Sequence, residues 1–282
     1  MRLSCAWIIA FAAVISAAAA VPFASGGGFN LPCLYDNCYS EMVACKEKNC
    51  QDFLICSAKC IAHWDEDTTK GKYDVLNCTS KCQFTYTDDN SDKFMTCAAS
   101  NDCMELPPIP STCRAASAKP AKQLSVKDLQ GDWRVVRGYH PVFDCYACVH
   151  QHFESMSDTT WQFAPSFVVT LVDGTHKAVS AKIEMPVEPP GKGFTFTYDF
   201  AGAANNATWW VVDKADDGSY VLVYYCGAVA DWNYEGAMVM ARSTSLPSSA
   251  YTKIAASFQS TVGLDLKDFC SNQVTNCNNG KN

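Results

Sequence analysis

The sequence predicts a mainly β protein: an eight-stranded antiparallel barrel, preceded by a small disulfide-rich α-helical domain and followed by a C-terminal helix. Three observations carry this expectation. Cysteines crowd into residues 33–113, two pairs of them at helical spacing. Beyond residue 123, short runs rich in β-branched and aromatic residues alternate with Gly, Asn and Pro turn signals. The first of these runs opens Gly131-Asp132-Trp133, where Gly131 permits a tight turn and Trp133 offers a large ring to plug one end of a barrel.

The bulk numbers bound the function. The 282 residues hold one large or two modest domains, and 48% hydrophobic content argues against disorder. A net charge of −7 with no basic block makes nucleic acid an unsuitable partner, because phosphate binding wants clustered Lys and Arg. The 17 cysteines point to an oxidising compartment. Residues 1–24 read as a signal peptide: Arg2, then an apolar run over residues 6–20, then small residues, with cleavage between Ala18 and Ser25. The alternative, a membrane anchor, falls short of the roughly 20 apolar residues needed to span a bilayer.

Residues 25–106 form the cysteine-rich module. Cys56/Cys60 and Cys78/Cys82 each lie at i and i+4, on one face of a helix, so two helices over 52–64 and 74–84 can be joined by two parallel disulfides. Zinc would want Cys-x-x-Cys pairs or added histidines, and His63 is the only histidine there. No metal is expected. Residues 107–122, with four prolines, read as a linker.

Residues 123–246 are the barrel. After the opening strand, strands are expected over 149–154, 161–172, 178–185, 194–200, 208–213, 220–226 and 236–242, in hairpin order around an interior cavity. A β-sandwich is the rival arrangement. Arg242 is placed to lie over Trp133 and close the barrel by a cation–π contact. Residues 247–264 carry Tyr251, Ile254, Ala255, Phe258 and Val262 on one face of a helix that packs outside the barrel, within a C-terminal segment reaching 282.

The segments GDWRVVRGYHPVFDCYAC, YVLVYYCG and WNYEGAMVMARSTSLP, with the spacing of the cysteine module, resemble the violaxanthin de-epoxidases and their relatives from about Cys33 to Cys277. The resemblance implies a lipocalin-like (calycin) barrel and disulfides Cys33–Cys50, Cys38–Cys45, Cys56–Cys82, Cys60–Cys78, Cys97–Cys103 and Cys148–Cys277. Cys113, Cys145, Cys226 and Cys270 are additional and would form two further bridges. It also implies a xanthophyll such as violaxanthin as ligand, ascorbate as co-substrate, and the thylakoid lumen as location. A galactolipid membrane surface bound peripherally and a pH-dependent homodimer complete the implied partners.

An epoxide opens when an acid protonates its oxygen, and a base must then take a proton from the carbon framework. In the family an Asp just before a strand Trp, helped by two Tyr, has that role. Carried over, this gives Trp209 and a catalytic Tyr225, while the Asp falls at Ala207 or Thr208 and the second Tyr at Met240. A family Gln falls at Val149, so Trp209, Tyr225, Met240 and Val149 are the expected substrate-binding positions. Glu184, Asp199 and Glu235 are the candidates for a replacement carboxylate. His150 and His152 lie on one face of a strand and are candidates for a pH switch or a metal site, although Ala147 stands where an Asp is expected. Three functions follow: a violaxanthin de-epoxidase-like lipocalin that binds and converts an epoxy-xanthophyll, by de-epoxidation or epoxide rearrangement; a non-catalytic carrier of a carotenoid or other hydrophobic ligand; or a secreted disulfide-rich lipocalin with an unrelated ligand.

Overall fold

The computed structural model describes residues 28–62, 69–105, 113, 125–188, 193–200, 203–229, 232–275 and 277. The expected signal peptide and, apart from Cys113, the expected linker lie outside the described residues. The chain divides into two compact units, Met1–Pro108 and Ile109–Asn282.

The first unit is helical. Its elements are β1 (Gly28–Phe29), α1 (Leu31–Asn37), α2 (Tyr39–Ala44), α3 (Lys48–Ala62), α4 (Thr69–Tyr86), α5 (Asp89–Ser100) and β2 (Met104–Glu105). The Asn30 side chain caps α1 by accepting from the Cys33 N–H, and Asp88 and Ser91 form a reciprocal capping box on α5. The helices α3 and α4 are the stapled hairpin, joined by Cys56–Cys82 and Cys60–Cys78. Leu34, Phe53, Val75 and Phe94 fill the small core between the cystines.

The remaining bridges of this unit differ from those the resemblance implies. Cys33 pairs with Cys103, Cys38 with Cys97, and Cys45 with Cys50, in place of Cys33–Cys50, Cys38–Cys45 and Cys97–Cys103. The reason is topological. The ladder of β1 with β2 brings the start of α1 beside the end of α5, and the Asn30 N–H donates to the Cys103 carbonyl at 2.8 Å. Cys33 and Cys38 therefore face residues 97–103, and the turn from α2 to α3 leaves Cys45 and Cys50 with Cα atoms 5.1 Å apart.

The second unit is the barrel. A 3₁₀ turn (Val126–Leu129) leads into β3 (Gly131–Gly138), β4 (Ala147–Ser155), β5 (Thr160–Thr170), β6 (His176–Ser180), β7 (Ile183–Pro186), β8 (Phe194–Phe200), β9 (Ala203–Lys214), β10 (Tyr220–Val229) and β11 (Trp232–Ala241). The helix α6 (Ser248–Thr261), shorter than expected, and β12 (Cys270–Ser271) follow. The antiparallel order is β6-β5-β4-β3-β11-β10-β9-β8, with β7 also on β5 and β12 on β3. The first strand of the barrel thus pairs with the last long one, β3 with β11, and the seam lies where β7 and β8 meet without a shared ladder.

Eight strands form the continuous ladder, as expected, and two short ones, β7 and β12, lie off it. The strand expected over 178–185 is two short ones, because Pro165 at the middle of β5 has no N–H to give; there Ala181 donates to the Pro165 carbonyl and the chain steps from one ladder to the next. Alternate residues of β9, β10 and β11 point outward, where Val212, Leu222, Tyr224 and Val239 bury Ile254 and Phe258 of α6. The other face lines the interior.

Candidate active site

Alternation puts Tyr225 of β10 on the inner wall, between Trp209 of β9 and Gly236 of β11. Trp209 stacks on the Tyr225 ring at 5.5 Å between centroids and meets Phe163 and Phe196 edge-on at 5.1 and 5.4 Å. A Cβ at Gly236 would sit 2.0 Å from the Tyr225 ring, so the glycine is what lets the phenol lie across the wall.

The phenol ends on a carboxylate. Tyr225 Oη donates to Asp144 Oδ1 at 2.6 Å, and the His140 backbone N–H donates to Oδ2 at 2.8 Å. Asp144 belongs to the connection between β3 and β4. Three features hold it there: the Cys145–Cys270 bridge beside it, a hydrogen bond from Asn272 Nδ2 to its carbonyl at 2.6 Å, and Gly138, where a Cβ would lie 2.4 Å from the Asp144 Cβ. Full burial pushes the Asp144 carboxyl up to about 7, against the opposing pull of the Tyr225 and backbone hydrogen bonds. Burial first, and then the Asp144 charge, holds the Tyr225 phenol well above its ordinary range.

Further polar groups complete the inner wall. Tyr234 Oη donates to Asn205 Oδ1 at 3.1 Å and lies 3.4 Å from Tyr198 Oη, while its ring meets Tyr225 at 6.2 Å. Burial pushes Tyr198 up to about 12 and Tyr234 well above the usual phenol range. Phe143 and His140 pack on Tyr234 at 4.6 and 5.8 Å, and burial pulls His140 down to about 3, so its imidazole is neutral. The result is an aromatic interior holding one protonatable carboxyl, bonded to a phenol. That pair can give a proton to a bound oxygen and take one back near neutral pH.

The expected site residues separate. Tyr225 and Trp209 are brought together, and Met240 is buried on the same wall, opposite Val135 and Val221. Val149 is buried on β4. Ala207 is buried inward between Phe196 and Gly227, and Thr208 points outward to Thr195, with hydroxyls 2.8 Å apart. The proposed replacement carboxylates do not face the interior. Glu184 and Asp199 are exposed on the outer face, and Glu235, buried on the outer side of β11, accepts from Tyr224 Oη at 2.6 Å.

Arg242 lies over Trp133 at 3.6 Å and donates to the Asp132 and Gln130 carbonyls at 2.7 and 2.5 Å. His150 and His152 point outward from β4 and flank Asp132 Oδ1 at 3.1 and 2.8 Å, with Glu154 3.9 Å from His152. Burial is the largest influence on His150 and lowers it against the attraction of Asp132, while the His152 hydrogen bond leads in holding Asp132 down. The sulfurs of Cys56, Cys60 and Cys82 cluster closely enough to hold a metal, but each is spent in a disulfide.

Sequence reasoning missed Asp144. Its signal is a carboxylate set in the otherwise apolar run Pro141-Val142-Phe143-Asp144-Cys145, immediately before a bridging cysteine. The additional cysteines pair as Cys113–Cys226 and Cys145–Cys270, and Cys148 pairs with Cys277.

The chain is 25% identical over 256 residues to the chloroplastic violaxanthin de-epoxidase of Arabidopsis thaliana and 24% identical over 262 residues to that of Nicotiana tabacum. These matches cover 84% and 86% of this chain but about half of each relative, 51% and 50%. Insecticyanin from the tobacco hornworm Manduca sexta is 15% identical with a TM-score of 0.42, over 56% of this chain and 85% of that one. Residues 30–274 match the family model of the VDE (violaxanthin de-epoxidase) lipocalin domain, and the chain belongs to that family.

Proposed function

We propose that this protein binds an epoxy-xanthophyll in its barrel and opens the epoxide with Asp144 and Tyr225. The observation that carries the reading is the 2.6 Å hydrogen bond between these two side chains on an aromatic inner wall. A carboxyl raised to about 7 is protonated at mildly acidic pH, when it can donate to the epoxide oxygen as the C–O bond breaks. Tyr225 relays or steadies that proton, and the resulting carboxylate accepts one back. Loss of a proton from carbon then gives a rearranged allylic alcohol. De-epoxidation instead gives the alkene and water, and for that ascorbate supplies two electrons and is oxidised to dehydroascorbate.

The same reading locates the protein in the thylakoid lumen, supported by relatives named as chloroplastic and by the eight disulfides among the described residues, which fit an oxidising compartment. Galactolipid docking, a pH-dependent homodimer and a pH-switch role for the His150–Asp132–His152 cluster rest on the family resemblance. A carrier without turnover is the second reading, favoured by Ala207 and Met240 where the family has an Asp and a Tyr.

Chromatography of violaxanthin incubated with the oxidised protein, ascorbate and galactolipid at pH ~5, below the raised Asp144 value, tests this. A new pigment peak is expected. Unchanged pigment that travels with the protein would establish the carrier, and pigment that neither changes nor binds would remove both readings.

A further inference from the structure

The inner wall holds a buried amide that no part of the proposed chemistry uses. Gln151 of β4 is 4% exposed and points inward between Val149 and Phe153. It pairs across the sheet with Trp133 on one side and Pro165 on the other, both apolar. Its amide N–H donates to the thioether Sδ of Met238 at 3.2 Å, and its buried Oε1 has no hydrogen-bond partner. A thioether is a weak acceptor, so neither end of this amide has a strong partner, whichever way the group is turned. Leaving a buried amide so poorly paired is unfavourable, and a leucine or methionine would fill the same place without that cost. An orphaned acceptor on a ligand-facing wall is explained when the ligand brings the missing donor.

The position defines that donor. Met238, which receives the amide, is two residues from Gly236, the floor under Tyr225, and so lies one pleat repeat, about 6.8 Å, further along β11. The Asp144–Tyr225 pair and Gln151 are therefore two polar points on one inner wall, with Met238 in contact with the amide. A ligand lying along this wall can present one oxygen to Asp144 and Tyr225 and a separate hydroxyl to Gln151. We infer that Gln151 is a specificity site that accepts a hydrogen bond from a hydroxyl of the ligand. The inference rests on the epoxy-xanthophyll reading for the ligand class but requires no turnover. It adds a residue to the site, placed by the strand register and not by the residue pattern of the relatives.

The test is binding of two pigments that lack an epoxide and differ in hydroxyls, zeaxanthin and β-carotene, followed by quenching of tryptophan fluorescence in the oxidised full chain. Wild type should bind the diol about 10-fold more tightly than the hydrocarbon, the size of one buried hydrogen bond. In Gln151→Met, similar in length and unbranched, that ratio should fall to about one or below through weaker diol binding, with hydrocarbon affinity kept. Gln151→Leu should do the same. Both variants should melt at or above the wild-type temperature without ligand, because the unpaired amide is gone. A preference for the diol that survives both substitutions would overturn the assignment while leaving the xanthophyll reading intact. Failure of wild type to bind either pigment would overturn both.

Discussion

Tyr224 and Tyr225 are consecutive on β10, and each donates to a buried carboxylate at 2.6 Å. Each is a phenol on a carboxylate at the same distance. They differ in the face of the sheet. Tyr224 and Glu235 lie on the outer side, where Tyr224 belongs to the cluster packed by α6 and Cys226 is bridged to Cys113. Tyr225 and Asp144 lie on the inner side, against Trp209 and beside Tyr234. The outer pair satisfies polar groups in a core; the inner one lines the barrel interior. On the proposed reading, a one-residue step along a strand separates structure from chemistry.

The largest expected effect breaks the pairs one at a time. Tyr225→Phe should lower conversion of an epoxy-xanthophyll by about 10²–10⁴-fold, the usual worth of a positioned proton-transfer group. Tyr224→Phe should leave conversion within about twofold yet lower thermal stability, since Glu235 loses a buried donor worth about 1–3 kcal/mol. Turnover assays and melting curves on both variants check this. If Tyr224→Phe destroys turnover in a protein that remains folded, the two faces are not functionally distinct.

A smaller effect concerns pH. The Asp144 carboxyl is raised in the folded protein from 3.8 to about 7, so the folded state binds its proton more tightly than the unfolded chain. That stabilisation is complete below the unfolded value and is lost as pH rises through about 7. Melting temperature should therefore fall between pH ~5 and ~8, and Asp144→Asn should reduce that fall by roughly 4 °C or more. An unaltered slope in the variant would mean that Asp144 does not titrate in this range.

The smallest effect is at the closed end. Arg242→Ala removes a cation–π contact at 3.6 Å and two hydrogen bonds to carbonyls that precede and follow Gly131. A loss of about 1–3 kcal/mol in stability is expected, with the diol-to-hydrocarbon binding ratio kept. A changed ratio would show that the closed end also shapes the ligand site.

What could be read from the sequence follows physical range. The helical hairpin was legible because Cys56/Cys60 and Cys78/Cys82 carry helix spacing within themselves, and the strands because alternation is local. The pairing of Cys33 and Cys38 with residues 97–103 was not, since it depends on β1 meeting β2 across the whole unit. The split at Pro165 had a local signal, the missing N–H, but its result depends on the ladder of the next strand. Asp144 was hidden for the same reason as the N-terminal bridges. Its place against Tyr225 is set by Gly138, by Asn272 and by a bridge spanning 125 residues, none of which marks the carboxylate itself.

The most direct test of the central claim follows violaxanthin conversion by chromatography between about pH 5 and 8, a range that spans the Asp144 titration, in wild type, Asp144→Asn and Glu235→Gln. Wild type and Glu235→Gln should form product with a rate that declines as pH rises past about 7, where Asp144 loses its proton, and Asp144→Asn should form almost none. Product formed by Asp144→Asn at the wild-type rate would contradict the account, as would the absence of product from the wild-type protein.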